Sequence, residues 1–186
     1  GEKRFVVDGS NADKLIVAAR TSGVAGDKAG ISLFLVDPSS SGVEIERTSM
    51  VDTRNAAIIR FDDVSVSTAD LLGNEGEGFA ALSATLDIAN AYLAAELLGI
   101  AQETFDCTLK YLKERKQFGV LIGSFQSLQH RAAHWWSEVE LCKSVVLKAL
   151  QSLDEGDAKS PAMVSVAKAK LCEVAELATN EAIQMH

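Results

Sequence analysis

The sequence predicts an α+β chain: an antiparallel β-sandwich or barrel portion followed by an up-and-down bundle of three long helices. Two textures predict it. Up to Val66, short runs rich in Val, Ile and Phe alternate with turns rich in Gly, Asn, Asp and Ser, the pattern of strands in an antiparallel sheet or sandwich. From residue 78 onward there is a single proline, and apolar residues recur at spacings of three and four, the period of amphipathic helices.

Five strands are expected, in "RFVVDG", "KLIVAAR", "ISLFLVD", "GVEIERT" and "AAIIRFDDVSV", separated by "DGSNAD", "TSGVAGDKAG" and "PSSSG". In "LLGNEGEGF", three glycines and two acids mark a linker. The domain boundaries that follow are 1–72 for the β portion, 73–78 for the linker and 79–186 for the helices. The first helix carries a stripe of Leu82, Leu86, Ala89, Leu93, Leu97, Ile100, Ala101, Phe105, Leu109 and Leu112. A second is expected from Ser124, whose hydroxyl can cap free N–H groups, with Leu128, Ala132, Trp135, Val139, Cys142, Val146 and Leu150 on one side. It ends near "DEGD", with Gly156 as the terminating residue. The third begins at Ser160-Pro161, a capping serine with proline in the first helical position, and continues through Val164, Ala167, Leu171, Val174 and Leu177.

The chain has 186 residues, enough for one large or two small domains, with 18 basic and 26 acidic side chains and a net charge of -8. Such a balance repels a phosphodiester backbone, so nucleic acid is not an expected partner. No window has the eighteen uninterrupted apolar residues of a membrane span, and "GEKRFVVDG" lacks the apolar core of a signal peptide. Cys107, Cys142 and Cys172 are far apart with no metal-ligand spacing, and are expected to be reduced, buried small hydrophobes in a cytoplasmic protein. The absence of an initiator methionine, and a helical pattern still running at Gln184-Met185-His186, read as a piece of a longer protein.

Little of this sequence carries chemistry by itself. "GNEGEG" sets acids where a phosphate loop needs bare N–H groups. His130 and His134 stand four apart on a helix but have no intervening carboxylate of the zinc-protease kind, so no metal is expected. The stretch "ERKQFGVLIGSFQSLQH" is different. Arg115 offers a planar fork to a phosphate, Gln117 an amide, Phe118 an aromatic face and Gly119 a flexible turn. Phe125-Gln126 then open the next helix, where free N–H groups attract an anion. The collection suits an adenine dinucleotide at a helix–helix junction; the plainer alternative is a cation placed at a helix C-terminus by its dipole.

The run "YLKERKQFGVLIGSFQSLQHRAA" resembles the Arg-x-x-Phe-Gly … Phe-Gln-x-x-Gln segment of the acyl-CoA dehydrogenases, flavoenzymes that desaturate acyl-CoA thioesters, as in the β-oxidation of fatty acids. Other segments resemble the same family in the same order: "FVVDGSNADKLIVAARTSG", "SMVDTRNAAIIRFDDVSV", "LLGNEGEGFA" and "ATNEAIQMH". The resemblance implies the second half of a middle β domain and the first three helices of a carboxy-terminal bundle. It further implies that Arg115 and Gln117 contact the FAD of a neighbouring subunit, with Phe118 close by. Phe125 and Gln126 then match a second patch on that flavin, and Gln184, Met185 and His186 the start of a third.

For the substrate, Asp87 matches an acyl-CoA-contacting aspartate, and Asn90 stands where an arginine often follows. The family's usual base, a glutamate beyond the third bundle helix, lies past His186, so no catalytic residue is expected in this chain. Some members carry the base where Ala89 stands. Glu96, two turns on, is a candidate base, with a structural helix residue as its alternative. The reaction implied for the intact protein is removal of the α proton by a carboxylate with transfer of the β hydrogen as hydride to flavin N5. The implied partners are an electron-transfer flavoprotein or similar acceptor and further copies of the chain, as a dimer or tetramer. Alternatives left open are an acyl-CoA oxidase or nitroalkane oxidase-like flavoenzyme, a noncatalytic FAD-supporting partner subunit, and a plain helical adaptor.

Overall fold

The computed structural model of the protein describes residues 1–52 and 54–186. The motif Asp52-Thr53-Arg54 therefore has its middle residue outside the described set. The chain forms two compact units, Gly1–Ser83 and Ala84–His186.

In the first unit the five expected runs become β1 (Glu2–Val7), β2 (Leu15–Arg20), β3 (Ile31–Val36), β4 (Val43–Thr48) and β5 (Ala56–Phe61). A two-residue strand, β6 (Leu71–Leu72), follows. One antiparallel sheet has the order β1-β5-β4 and the other β2-β3-β6. Leu15 and Val36 from one sheet and Ala57 and Ile59 from the other make a single buried cluster, with Val6, Val17, Phe34, Ile45 and Phe61 packed around it. Two sheets sharing one apolar core form a sandwich, and no closed barrel forms among the described residues. β5 stops at Phe61 rather than running on to Val66. Residues 73–78 are held down rather than loose: the amide of Gly78 donates to Ile31 O (2.7 Å) and that of Gly76 to the buried Ser32 Oγ (2.8 Å).

The second unit contains most of α1 (Phe79–Glu114), then α2 (Gln126–Asp154) and α3 (Ser160–Met185). On α2, Trp135, Val139, Cys142 and Val146 are buried, and on α3 Val164, Ala167, Leu171 and Val174 are buried, as their spacing predicts. The first helix departs from expectation. Its buried face is Ala91, Ala94, Ala101, Phe105, Thr108 and Leu112, whereas Leu86, Leu93 and Ile100 are 52%, 46% and 43% exposed. Two apolar stripes run along this helix, and the one carrying the alanines joins the buried cluster. By length and composition alone, α1 is long and apolar enough to cross a membrane.

Three local expectations are corrected. Ser124 does not cap α2: its hydroxyl donates to Leu121 O (2.6 Å) within a 3-10 turn, and Phe125 occupies the cap position. Lys159, not Ser160, precedes the first turn of α3, so Ser160 and Pro161 are its first residues. Of the cysteines only Cys142 is buried; Cys107 and Cys172 lie off the core-facing stripes and are exposed. A hydrogen bond from Cys107 Sγ to the Glu103 carboxylate raises that thiol's pKa.

Two ion pairs join α2 to α3: Lys170–Glu138 at 2.5 Å and Arg131–Glu181 at 2.7 Å. The hydrogen bond with Lys170 holds the Glu138 carboxyl below its ordinary value of 4.5, and the same bond raises Lys170 above 10.5. A depressed carboxyl stabilises the fold above its unfolded pKa and loses that contribution as the pH falls through the folded value. A raised ammonium is lost in the opposite direction, as the pH climbs through its own folded value. The pair therefore supports the unit across the whole neutral range. Glu138→Gln is expected to lower stability at pH 7 by about 1 kcal/mol and to flatten the acid limb; urea titrations at pH 7 and pH 3 that give the same difference from wild type would refute this.

Candidate functional site

The break between α1 and α2 is a built structure. After Glu114, β7 (Lys116–Gln117) pairs with β8 (Val120–Leu121), Lys116 opposite Leu121 and Gln117 opposite Val120. The two residues between them, Phe118 and Gly119, have φ of 55° and 82°. Two successive positive φ values are the mark of a type I′ hairpin turn, whose first position favours Asn or Gly. A bulky L-residue there costs about 1–2 kcal/mol. Here the residue is a phenylalanine left 90% exposed.

Around this tip the backbone is pinned. Ile122 N donates to Arg115 O (2.9 Å), and Gln129 Nε2 donates to Gly123 O (2.9 Å). Gly123 lies so near the last turn of α1 that an added Cβ would sit 2.7 Å from Leu112 O, which excludes any other residue. The Phe118 and Phe125 rings meet edge to face at 6.2 Å. On this frame Arg115 is exposed, and its guanidinium has no ion-pair or hydrogen-bond partner among the described residues. The neighbouring α2 begins without a side-chain cap. Its first N–H groups, on Gln126 and Ser127, have no acceptor among the described residues. Uncapped N–H groups with a helix dipole behind them, an unpaired guanidinium and exposed aromatic faces form a donor set for an anionic, ring-bearing group.

The end of α3 lies at the same end of this unit. Tyr111, in the last turn of α1, stacks on His186 (4.4 Å between centroids, 23° between planes), and Arg131 near the start of α2 holds Glu181 near the end of α3. Gln184 and His186 are exposed, while Met185 is 3% exposed, so its side chain is part of the interior rather than of a surface. The structure thus gathers Arg115, Gln117, Phe118, Phe125, Gln126, Gln184 and His186 at one end of the helical unit.

It does not bring Asp87, Asn90 or Glu96 to that end. At 1.5 Å per residue Asn90 lies roughly 36 Å along α1 from its C-terminus. Asp87 and Asn90 are half-buried, and Ala89 and Glu96 are exposed beside the unburied stripe of Leu86, Leu93 and Ile100. His130 and His134 are both exposed. Sequence reasoning missed Tyr111 and Gln129. Tyr111 stands one helical turn before Arg115, a spacing that puts both on one face and is the signal that was available.

The family model for the acyl-CoA dehydrogenase C-terminal domain matches residues 76–186. Over 193 aligned residues the chain is 39% identical to the "Probable acyl-CoA dehydrogenase YngJ" of Bacillus subtilis (strain 168), covering all of this chain and 50% of the relative. Among solved structures, an acyl-CoA dehydrogenase from Geobacillus kaustophilus superposes with a TM-score of 0.93 at 30% identity over the whole chain and 50% of its own length. An FAD complex of PigA does so with 0.94 at 28% identity over the whole chain and 49% of its own length. The chain spans about half the length of the relatives it matches. The match over both β strands and helices, in sequence and in fold, leaves one assignment: this chain belongs to the acyl-CoA dehydrogenase family.

Proposed function

We propose that this chain is part of an FAD-dependent acyl-CoA dehydrogenase and that its hairpin end receives the flavin nucleotide of a neighbouring subunit. One observation carries the reading: an aromatic side chain held in a strained, fully presented turn, next to a guanidinium with no partner. Strain of this kind persists where the surroundings enforce it and a ligand uses it. The residues present fit the anionic and aromatic parts of FAD. Arg115 offsets phosphate charge, the Gln126 and Ser127 N–H groups donate to phosphate oxygens, Gln117 supplies an amide, and Phe118 and Phe125 offer ring faces. Bound FAD supplies the hydride acceptor for desaturation of an acyl-CoA thioester. The roughly 36 Å between the hairpin and Asn90 supports a neighbour's cofactor, because one chain cannot apply both groups to a single reacting centre.

Asp87 and Asn90 are assigned to the substrate. Asn90 is neutral where an arginine often stands in the family, so the contact made there lacks the positive charge an arginine would bring. Nothing at Ala89 can take a proton, and the base comes from elsewhere in the intact protein. Ala89 and Asn90 are also compatible with a second reading, a noncatalytic subunit that supports FAD binding by a catalytic copy. In either case the electrons pass to an electron-transfer flavoprotein or a similar acceptor.

The purified chain, incubated with FAD and freed of excess dye, is expected to retain flavin absorbance in the visible, and Arg115→Ala to lose it. A colourless wild type would count against the hairpin site forming in this chain. The exposed stripe of Leu86, Leu93 and Ile100 also predicts self-association through the helical unit; light scattering that finds a monomer at high concentration would contradict that.

A further inference from the structure

We propose that Tyr111 is a positioning residue that couples the end of α3 to the Arg115 hairpin, so that both patches meet one flavin nucleotide as a single preformed surface. The inference rests on the reading of the hairpin end as a flavin site. Tyr111 touches both parts directly. Its main-chain oxygen accepts the Arg115 amide (2.9 Å), the bond that ends α1 and sets where the guanidinium starts. Its ring stacks on the His186 imidazole at 4.4 Å, and its hydroxyl donates to the His186 main-chain oxygen at 3.2 Å.

The imidazole is held from the other side as well, with Nδ1 donating to Ala182 O (2.9 Å), while Met185 is sunk in the interior. Those contacts set Gln184 and His186 outward on a fixed backbone. Without the stack, Met185 and the Arg131–Glu181 pair still hold the last turn of α3, but the His186 ring loses the face that orients it. Ordering it on ligand binding would then cost affinity. The hydroxyl bond is long for O–H···O, so the ring supplies most of the coupling. A ring pair of this kind contributes enough to change a dissociation constant by about three- to tenfold.

Two readouts test it, one of them independent of flavin. With only three histidines in the chain, the His186 imidazole proton resonance is assignable. It is expected upfield of those of His130 and His134 in wild type and Tyr111→Phe, and unshifted in Tyr111→Leu. FAD titration by fluorescence quenching is expected to weaken about three- to tenfold in Tyr111→Leu and little in Tyr111→Phe. A His186 resonance that Tyr111→Leu does not move overturns the stack. A moved resonance with an unchanged dissociation constant, where Arg115→Ala abolishes binding, overturns the coupling alone. FAD binding that is absent in wild type, or indifferent to Arg115, overturns the site and the coupling with it.

Discussion

Trp135→Ala is expected to cost the helical unit about 3–5 kcal/mol, the range for truncating a buried tryptophan or phenylalanine. Trp135 is 0% exposed and stands at the centre of the cluster that joins all three helices, edge to face against Phe105 at 5.1 Å and 83°. Truncation removes that ring pair and leaves a cavity between α1 and α2 that surrounding alanines cannot fill. Since a domain of this size is stable by only about 5–15 kcal/mol, much of its margin goes with one side chain. The melting temperature should fall by roughly 4–8 °C for each kcal/mol lost.

Trp135→Phe separates packing from polarity. The indole Nε1–H is buried without a hydrogen-bond partner among the described residues, and a donor left that way costs about 1–3 kcal/mol. Phenylalanine removes the donor while keeping most of the ring, so the two effects offset and the variant should unfold near wild type. Circular dichroism melts in which the alanine variant matches wild type, or the phenylalanine variant falls as far as the alanine one, would show that this ring does not organise the bundle.

The second large effect is at Arg115. Arg115→Ala should weaken FAD binding by at least tenfold, because a charge-assisted hydrogen bond contributes about 1.5–3 kcal/mol. It should leave the fold intact, since the side chain is exposed and has no partner to lose. Arg115→Lys is informative in its own right. Lysine keeps the charge but not the planar fork, so a bidentate contact with a phosphate predicts partial recovery, and a simple charge effect predicts full recovery. Raising the salt concentration should weaken the wild type more than the alanine variant. Equal FAD affinity in wild type and Arg115→Ala would remove the hairpin from the flavin site.

Much of the candidate site was legible because it is local. Arg115, Gln117, Phe118, Phe125 and Gln126 lie within twelve consecutive positions, and the loss of helical period between 115 and 125 marks where they fall. The hairpin was not legible. A Phe-Gly pair in a type I′ turn defies the preference that would identify the turn, so local rules read the segment as an irregular break. The caps were misplaced for a related reason: Ser124 and Ser160 are good N-cap residues, but the 3-10 turn gives the Ser124 hydroxyl a nearer acceptor, Leu121 O.

What the sequence by itself determined is periodic or contiguous: five strands of an antiparallel β portion, the core faces of α2 and α3, and the residues of the break. Only the tertiary structure decided which of two apolar stripes on α1 is the core. Period alone cannot choose between Leu86-Leu93-Ile100 and Ala91-Ala94-Ala101; packing buries the alanines, because the apolar side chains of α2 and α3 close over that face and leave the other open. The tertiary structure also brought Tyr111 to His186, seventy-five positions apart, because the antiparallel course of three helices returns the end of the third to the end of the first. No local pattern encodes that meeting, and it is there that the separate pieces of the candidate site become one surface.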